Sequence, residues 1–575
     1  MATSLPTSSV TAPDPVAAGP HARVDIASDD FGWAHARAGA SRAWFKGCLV
    51  EGGRALEGAD AARLIAQRLD PWQGAGALGR AVDALDGHFA LAVERAGRVL
   101  AAVDRVRSIP LFLAREPGGV RVLDRPRRWL EGASGAPANL AAGLEVAMAG
   151  YCTGRDTLYA DLGQLTGGEL ALAGAGLAEP HRHRTYAYRS WEVEAGETFE
   201  RAATRLTDAT RALFEKTVAG LSGRPVLVPL SAGLDSRLVA SAFRELGLRD
   251  VQCYAYGRPG NHEAAASREI ADKLGFRWHF VAYDPRRIRD FARSEDVRAY
   301  RENADSCASL PFLQDLYALT VLRERGVVPE GAAVVNGNSG DFITGGHIVA
   351  ELRKPRPDLD PDARRRRVLD AQLDKHFSLW DDLRTPENDE LVRARLDRLL
   401  AEQLDGMPAP EADHGLYEFL ECHARQGNFV VTGQRVYEHL GLAWRLPLWE
   451  RDYLDFWRPV PLAFKAGQKL YRSFLGKSNW GGVWGRLDYP RTVRPRWAAV
   501  TRSVAKGAAA PFGQSAWRAL DKRLFAYWTD ILSTYATVPY RRVLLDRRGF
   551  RNAVSLRCEA YLAGHGRGID GHPVR

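Results

Sequence analysis

The stretch PVLVPLSAGLDSRLVASAFRELG, residues 225–247, decides the fold of this 575-residue chain. Its apolar run at residues 226–230 leads into a turn of small and polar residues, and an amphipathic helical pattern follows directly. Apolar runs and helical patterns continue to alternate downstream, with further runs at residues 251–256, 278–283 and 332–337. Because this alternation is typical of βαβ units, it predicts an α/β domain with a doubly wound parallel sheet.

The turn before the predicted helix has the composition of an anion-binding site. Gly233 and its small neighbours let the backbone approach a phosphate, and the free amides at a helix N-terminus attract negative charge. Ser231 and Ser236 add hydroxyl donors. Asp235 would repel a phosphate, so its presence favours a Mg²⁺ ion that bridges the phosphate oxygens. An ordinary strand–turn–helix with an aspartate cap is the alternative interpretation.

Two motifs resemble a known family. LSAGLDSR resembles the SGGLDS pyrophosphate loop of the N-type ATP pyrophosphatases (PP-loop proteins), and VVNGNSGDFITGG at 334–346 resembles the GxGxDExxxGG stretch of class B, glutamine-hydrolysing asparagine synthetases. The resemblance to these synthetases covers most of residues 40–480. Asp235 and Asp341 would follow neighbouring parallel strands, where one Mg²⁺ ion can bind both carboxylates.

The resemblance also implies the other site residues. Lys469 falls in a segment that resembles the family's K-x-x-L-R, so it is expected to be catalytic together with Asp235 and Asp341. The residues expected to bind ATP and its pyrophosphate group are Leu230, Ser231, Gly233, Leu234, Asp235, Ser236, Tyr256, Gly257 and Gly337.

Short apolar runs with glycine-containing turns before residue 190 predict an α+β domain. The resemblance implies that it is a glutaminase-like, Ntn-type sandwich. Residue 2 is Ala instead of the nucleophilic cysteine, so we expect a degenerate domain that does not hydrolyse glutamine. Cys48 lies in an apolar strand pattern and is expected to be a buried structural thiol. The predicted units are a disordered tail at 1–30, the glutaminase-like domain at 31–190, the ATP pyrophosphatase domain at 198–500 and a helical extension at 501–575.

Several positions depart from the family pattern. Ala232 and Arg237 change the loop, Phe342 stands where the family has Glu, and Ala443 replaces a Glu before the Arg-x-Pro segment. Asparagine synthesis itself is therefore not expected, because a carboxylate that would recognise an amino acid is missing.

The C-terminal region contains arginines with aromatic neighbours. Such residues suit an anionic, ring-shaped acceptor, because an arginine fork can bind a carboxylate or a phosphate. Arg435, Tyr437 and Arg445 are the predicted substrate residues. This region is similar to asparagine synthetase-like proteins associated with surface-polysaccharide biosynthesis, which implies that a uronic acid is amidated. A Trp- and Arg-rich helical core is the alternative interpretation.

We expect an ATP- and Mg²⁺-dependent amidotransferase that forms an acyl-adenylate and then an amide. Ammonia would come from solution or from a partner glutaminase, and the acceptor would be a small-molecule or glycan carboxylate. Two alternatives stay open: a lactam or lasso-peptide cyclase that uses an intramolecular amine, and a non-catalytic scaffold subunit. Oligomer formation is also open.

Composition and sequence patterns also indicate the location of the protein and the kind of ligand it binds. No apolar run approaches the ~18 residues of a spanning helix, and the N-terminus lacks the apolar core of a signal peptide, so a cytoplasmic location is expected. The six cysteines are scattered, without disulfide or zinc spacing. A net charge of +9 suits an anionic substrate such as ATP, and no nucleic-acid partner is expected.

Overall fold

The computed structural model describes residues 21–27, 31–133, 135–491 and 495–569. His21–Asp25 form a strand that pairs in parallel with Gly119–Leu123, so the tail predicted at 1–30 extends too far into the folded chain. Residues 1–20 and 28–30 of that predicted tail lie outside the described residues.

The N-terminal part contains two β-sheets. Their strands are β1 (His21–Asp25), β2 (Ala34–Ala38), β3 (Ser41–Glu51), β4 (Arg54–Glu57), β5 (Gly87–Arg95), β6 (Arg98–Val103), β7 (Phe112–Glu116), β8 (Gly119–Leu123), β9 (Leu162–Gln164), β10 (Glu169–Gly174) and β11 (His181–Arg184). The helices of this part are α1 (Gly58–Arg68), α2 (Ala75–Asp83), α3 (Pro126–Gly132) and α4 (Leu140–Ala149). One sheet has the order β1-β8-β7-β9, and the other has the order β11-β10-β6-β5-β3-β2, with β4 paired to β3.

Alternation along the central strands explains why these sheets stack. In β5, Phe89, Leu91 and Val93 pack in one cluster with residues of α1 and α2. Ala90 and Ala92 point to the opposite face, where they join a cluster that contains residues of β1, β7 and β8. Because successive strand residues face opposite sides, large side chains meet the helices and small ones meet the second sheet. The N-terminal part is thus an α+β unit, as the strand and helix patterns predicted, in which two sheets pack together.

The middle of the chain forms a five-stranded parallel sheet. Its strands are β12 (Val226–Pro229), β13 (Val251–Gly257), β14 (Arg277–Ala282), β15 (Ala333–Val335) and β16 (Ala443–Arg445). The first four match the predicted apolar runs to within two residues at each end, whereas the three-residue β16 was not predicted. Helices α5 (Phe199–Leu221), α6 (Leu234–Glu245), α7 (His262–Leu274), α8 (Pro285–Phe291), α9 (Glu295–Ala304), α10 (Leu316–Glu324) and α11 (Gly340–Ile343) precede or connect these strands.

The strand order β14-β13-β12-β15-β16 creates a switch point between β12 and β15. The chain runs outward from β12 to β13 and β14, and then returns to the other side of β12 to form β15 and β16. Loops that follow the two strands at such a point diverge and leave a crevice, which is where open α/β sheets bind ligands. The site is therefore expected after β12 and β15.

Helices account for most of the remaining chain. They are α12 (Pro361–His376), α13 (Pro386–Ala401), α14 (Asp413–Leu420), a π-helix (Glu421–Val430), α15 (Arg435–His439), α16 (Arg451–Trp457), α17 (Leu462–Lys465), α18 (Lys469–Ser478), α19 (Arg496–Ala509), α20 (Gly513–Leu524), α21 (Ala526–Thr529), α22 (Tyr540–Leu545) and α23 (Ala553–Gly564). Short 3₁₀ turns lie at Ala350–Arg353, Asp381–Leu383, Pro410–Ala412, Val431–Gln434, Pro447–Trp449, Ala466–Gln468, Trp480–Gly482, Ala510–Phe512 and Thr534–Thr537. Helix α19 crosses the domain boundary predicted at residue 500. Among the described residues, no helix combines the length and the apolar character that crossing a bilayer requires.

Candidate active site

A cavity of about 320 Å³ opens at the switch point of the parallel sheet. Of the residues predicted from sequence, Ser231, Gly233, Asp235, Ser236, Tyr256, Gly337, Asp341 and Tyr437 line it. Phe312, Gln314, Asp315, Asn336 and Asn338 are among the lining residues that the sequence did not single out. The fold therefore brings together the two motifs, which are separated by about a hundred residues in the chain.

The loop after β12 is shaped by its own hydroxyl groups. Ser231 Oγ accepts a hydrogen bond of 3.1 Å from the backbone amide of Gly233. Ser236 Oγ accepts one of 3.1 Å from the backbone amide of Ser231. Gly233 is the N-cap of α6 and has no side chain that could satisfy the first-turn amides. Those amides remain suited to an anion at the helix N-terminus.

Asp235 and Asp341 lie against each other across the switch point. The backbone amide of Asp341 donates to Asp235 Oδ2 at 2.8 Å, and the Tyr471 hydroxyl donates to Asp235 Oδ1 at 3.1 Å. Two glycines allow this approach. A Cβ atom on Gly340 would lie 2.5 Å from Asp235 Oδ1, and one on Gly337 would lie 2.7 Å from the backbone carbon of Asp235.

The electrostatics of this pair favour a cation. Burial, together with the charge of Asp341, raises the pKa of Asp235 to about 7. A carboxylate that is costly to ionise beside another carboxylate is stabilised by a bound metal ion. The donors are hard carboxylate oxygens, which Mg²⁺ prefers. The residues present therefore fit a Mg²⁺ site.

A histidine that does not itself line the cavity contacts the Asp341 carboxylate. His347 Nε2 lies 2.9 Å from Asp341 Oδ2, and His347 Nδ1 contacts the carboxylate of Glu421. Burial lowers the pKa of His347, but the two carboxylates outweigh burial and raise it to about 9. Glu421 is fully buried and also lies 3.2 Å from His376 Nε2. His347 is thus protonated and positions the Asp341 carboxylate.

Three tyrosines converge on a buried acid, Asp315, which also lines the cavity. Asp315 Oδ2 accepts hydrogen bonds from Tyr254 at 3.0 Å and from Tyr437 at 2.7 Å. The Tyr256 hydroxyl donates to the other oxygen, Oδ1. Burial raises the pKa of Asp315 although the tyrosine hydrogen bonds oppose this shift. The predicted residues Tyr256 and Tyr437 are therefore held by an acid that the sequence did not reveal.

Residues 209–478 match the asparagine synthase family model, whose span includes the sheet, the loop and both aspartates. This segment is asparagine synthase-like. The family is one of ATP-dependent amidotransferases, and its members typically use Mg²⁺ with the nucleotide. The match leaves out the N-terminal sandwich and residues 479–575. No curated protein matches the chain.

The predicted catalytic lysine of the asparagine synthase-like segment does not line the cavity. Lys469 is exposed, and its Nζ atom lies 5.2 Å from the centre of the Phe199 ring. Lys465, one turn earlier, is fully buried, with Nζ 2.9 Å from a carboxylate oxygen of Glu418. Gln468 contacts the segment that follows Asp341, because its Nε2 atom donates to Thr344 Oγ1 at 2.7 Å.

The two predicted substrate arginines are also absent from this cavity. Arg435 is buried and donates to the backbone oxygen of Asn303 at 2.7 Å. Arg445 is buried and donates to Glu57 Oε1 at 2.7 Å, which ties the asparagine synthase-like segment to the N-terminal sandwich. Both side chains are engaged in packing between elements. Only Tyr437 of the three predicted substrate residues lines the cavity.

Three of the predicted ATP residues support the loop from outside the cavity wall. Leu230 is buried, and its backbone amide bonds the Tyr254 carbonyl at 2.9 Å. Leu234 is half-buried at the first position of α6. Gly257 has φ +124°, and a Cβ atom there would lie 2.7 Å from the Ile531 carbonyl oxygen. These residues position the loop and the end of β13.

Two departures from the family pattern have structural explanations. Arg237 is fully buried, donates to the Arg486 carbonyl at 2.7 Å and lies 4.4 Å from the Trp484 ring centre. Phe342 is buried and stacks on Trp449 with ring centroids 5.8 Å apart. Both side chains pack in the interior and do not line the cavity.

Cys48 of β3 lies outside the asparagine synthase-like segment, in a separate cavity of about 310 Å³. Its thiol is buried, and burial raises its pKa to about 12. A thiol in this state is a poor nucleophile at neutral pH.

Proposed function

We propose that the protein is an ATP- and Mg²⁺-dependent amidotransferase that adenylates a carboxylate and converts it to an amide with ammonia. One observation carries this proposal: Asp235 and Asp341 meet at the switch point, beside a helix N-terminus whose first amides have no side-chain cap. Two adjacent carboxylates and a phosphate loop suit a metal-bound triphosphate.

Several residues in and around the cavity would take part in this reaction. Asp235 and Asp341 would hold Mg²⁺, which neutralises phosphate charge when bound. Ser231, Gly233, Ser236 and the first amides of α6 would hold the pyrophosphate group. His347 keeps Asp341 in place from behind. Tyr256 and Tyr437, which hydrogen-bond to Asp315, form another part of the cavity wall.

The reaction proceeds in two steps. An oxygen of the acceptor carboxylate attacks the α-phosphorus of ATP, the bond to the bridging oxygen breaks, and pyrophosphate leaves with that electron pair. Ammonia then attacks the acyl carbon, AMP leaves with the acyl oxygen, and the nitrogen loses a proton. The chain's contribution to the first step is to orient the triphosphate and to stabilise the departing pyrophosphate.

The acceptor in this proposal is a uronic acid of a surface-polysaccharide precursor. Its support is the sequence similarity to proteins of polysaccharide biosynthesis, together with the absence of the family's glutamate at Phe342 and Ala443. Ammonia would come from solution or from a partner glutaminase, because the buried thiol of Cys48 is not activated.

The test is product analysis with matched variants. Purified protein is incubated with ATP, Mg²⁺, an ammonium salt or glutamine, and a panel of nucleotide-linked uronic acids. Chromatography then identifies AMP, ADP and pyrophosphate, and mass spectrometry detects the conversion of acid to amide. We expect AMP, pyrophosphate and amide with ammonium alone, and we expect D235N and D341N to lower the rate at least about 100-fold.

D250N is the control, because Asp250 is 77% exposed and pairs with Arg277 on the surface. It should retain the wild-type rate. Release of ADP instead of AMP, or an unchanged rate in D235N, would refute the adenylation mechanism. AMP formation that requires a peptide with a free amine would favour the cyclase alternative.

A further inference from the structure

A further cavity, lined by arginines, lies outside the aspartate site, which is the cavity that Asp235 and Asp341 line. It measures about 450 Å³ and includes Leu310, Pro311 and Leu313 in its wall. Its arginines are Arg127, Arg289, Arg293, Arg298, Arg301 and Arg557, whereas its acidic residues are Glu302 and Asp305. The lining therefore carries more positive than negative charge.

Most of these guanidinium groups have no acidic partner within the part of the chain that the structure describes, the exceptions being Arg127 and Arg298. Arg289 donates only to neutral groups, the Ala536 carbonyl at 3.0 Å and the Tyr527 hydroxyl at 3.4 Å. Arg557 donates to the Pro311 carbonyl at 3.1 Å. The side chains of Arg293 and Arg301 make no hydrogen bond or ion pair with any residue that the structure describes. Four cations of the cavity thus remain without a carboxylate partner among the described residues.

Asp305 is already engaged and compensates little of this charge. Its carboxylate accepts from the Tyr561 hydroxyl at 2.7 Å and from the Cys307 amide at 2.8 Å, and it lies 3.0 Å from His565 Nε2. Arg127 is its arginine neighbour, at 3.6 Å. Positive charge that is gathered in a concave site attracts anions more strongly than the same charge on a flat surface.

Residues 310–314 form a wall that this cavity shares with the aspartate site. Leu310, Pro311 and Leu313 face the arginine cavity, whereas Phe312 and Gln314 of the same segment line the aspartate cavity. Four residues of extended chain span at most about 14 Å, so the two cavities are close neighbours. Arg557 donates a hydrogen bond to the Pro311 carbonyl in this wall.

We infer that the arginine cavity binds the diphosphate group of the acceptor, so that the acceptor is a carboxylate carried on a diphosphate. One carboxylate needs only one arginine fork, whereas several unpaired guanidinium groups match the charge and the many oxygens of a diphosphate. An acceptor anchored there extends its acid group past the shared wall towards the aspartate site. The inference rests on the proposed amidation for the identity of the ligand.

Equilibrium dialysis with labelled UDP-glucuronate tests this inference. A saturating amount of α,β-methylene-ATP with Mg²⁺ fills the aspartate cavity, so that only other sites report. We expect wild-type protein to bind, and we expect R293Q/R301Q to bind at least about tenfold more weakly, because two charge-assisted contacts are lost. Both side chains are exposed, so the substitutions leave the core intact. R557Q should weaken binding in the same way.

Charge-matched and ligand-matched controls complete the design. R63Q/R268Q removes the same charge at side chains that are 55% and 69% exposed elsewhere, and it should bind like the wild type. UDP-glucose and farnesyl diphosphate should compete because each carries the diphosphate, and the stronger competitor identifies a nucleotide-linked or a lipid-linked acceptor. Free glucuronate should not compete.

Two results would overturn the inference: unchanged binding in R293Q/R301Q with retained affinity for the ATP analogue, or equal competition by free glucuronate. The outcome is separable from the amidation itself. Arginine-dependent binding without AMP formation keeps the diphosphate site and rejects the amidotransferase. Amidation by R293Q/R301Q with an unchanged KM for the acceptor keeps the amidotransferase and rejects the site.

Discussion

The backbone amide of Asp341 donates a hydrogen bond of 2.8 Å to Oδ2 of Asp235. The two residues follow β12 and β15, the strands on either side of the switch point. Their contact therefore links the two loops that line the crevice. It brings two carboxylates to one place, and burial together with the charge of Asp341 raises the pKa of Asp235 to about 7. The fold thus maintains an electrostatically unfavourable pair that a cation would relieve.

The first prediction concerns the glycines that admit this contact. In G340A the new Cβ would lie 2.5 Å from Asp235 Oδ1, so the carboxylate must move. Displacement of a metal-binding group by about 1 Å can cost roughly 100-fold in rate. We expect G340A to lower kcat for AMP formation by about 10- to 100-fold and to raise the Mg²⁺ concentration needed for half-maximal activity.

G476A is the matched control. Gly476 lies within α18, and a Cβ atom there would meet no atom within 4 Å. Alanine is the better helix former, so this variant should keep its activity and gain about 0.5–1 kcal/mol of stability. An unchanged Mg²⁺ requirement in G340A would contradict the proposed metal role of Asp235.

The second prediction concerns His347, which lies between Asp341 and the buried Glu421. In H347Q the protonated partner of Asp341 is lost, so its carboxylate is held less firmly. We expect kcat to fall about 10- to 100-fold with a much smaller change in the KM for ATP, because the loops around the nucleotide are unaffected. Titration with Mn²⁺, followed by electron paramagnetic resonance, should show weaker metal binding.

H279Q controls for loss of a histidine, because His279 lies on the edge strand β14 and contacts Gln252. It should have wild-type kinetics. If H347Q binds Mn²⁺ and turns over like the wild type, His347 has no positioning role.

The parts of the site that are continuous in sequence could be predicted from sequence. Ser231, Gly233 and Asp235 follow a buried strand directly, and the same local rules fix the strand, the turn and the helix start. Asp341 follows another strand in the same way. Because parallel strands end at one edge, the meeting of the two aspartates follows from the strand pattern.

Long-range packing decided the residues that sequence analysis misplaced or missed. Lys469 and Arg435 lie in plausible motifs, but helix orientation directs the first to Phe199 and the second to Asn303. Glu421 and Asp315 do not directly follow a strand of the sheet. The tertiary fold places Glu421 against His347 and Asp315 against Tyr437. Of the missed residues, His347 could have been proposed from sequence, because it follows Asp341 by six residues in the same glycine-rich stretch.

The third prediction concerns the thiol of Cys48. With a pKa raised to about 12 by burial, only roughly one thiol in 10,000 is ionised at about pH 8. We therefore expect iodoacetamide to leave ammonium-dependent amidation unchanged and C48A to retain the wild-type rate. Glutamine should not replace ammonium, as measured by glutamate release. Glutamate formation that C48A abolishes would show that this thiol is a working nucleophile.

We expect Asp315 to make the free energy of unfolding depend on pH. Burial raises its pKa above the ordinary 3.8, so the native state holds this proton more tightly than the unfolded state does. Between 3.8 and the raised pKa, the unfolded state binds fewer protons, and the free energy of unfolding falls as the pH rises. D315N has no such proton. Its urea midpoint, measured by tryptophan fluorescence, should therefore increase relative to the wild type as the pH rises from about 4.

Two further variants separate this effect from general changes in charge. D250N removes an exposed carboxylate, so its midpoint should stay at a constant offset from the wild type across the same pH range. Y437F removes the 2.7 Å hydrogen bond that holds the pKa of Asp315 down, so the pKa should rise further and the window of falling stability should extend to higher pH. A constant offset for D315N would mean that Asp315 titrates alike in both states, and the tyrosine cluster would then have no electrostatic cost.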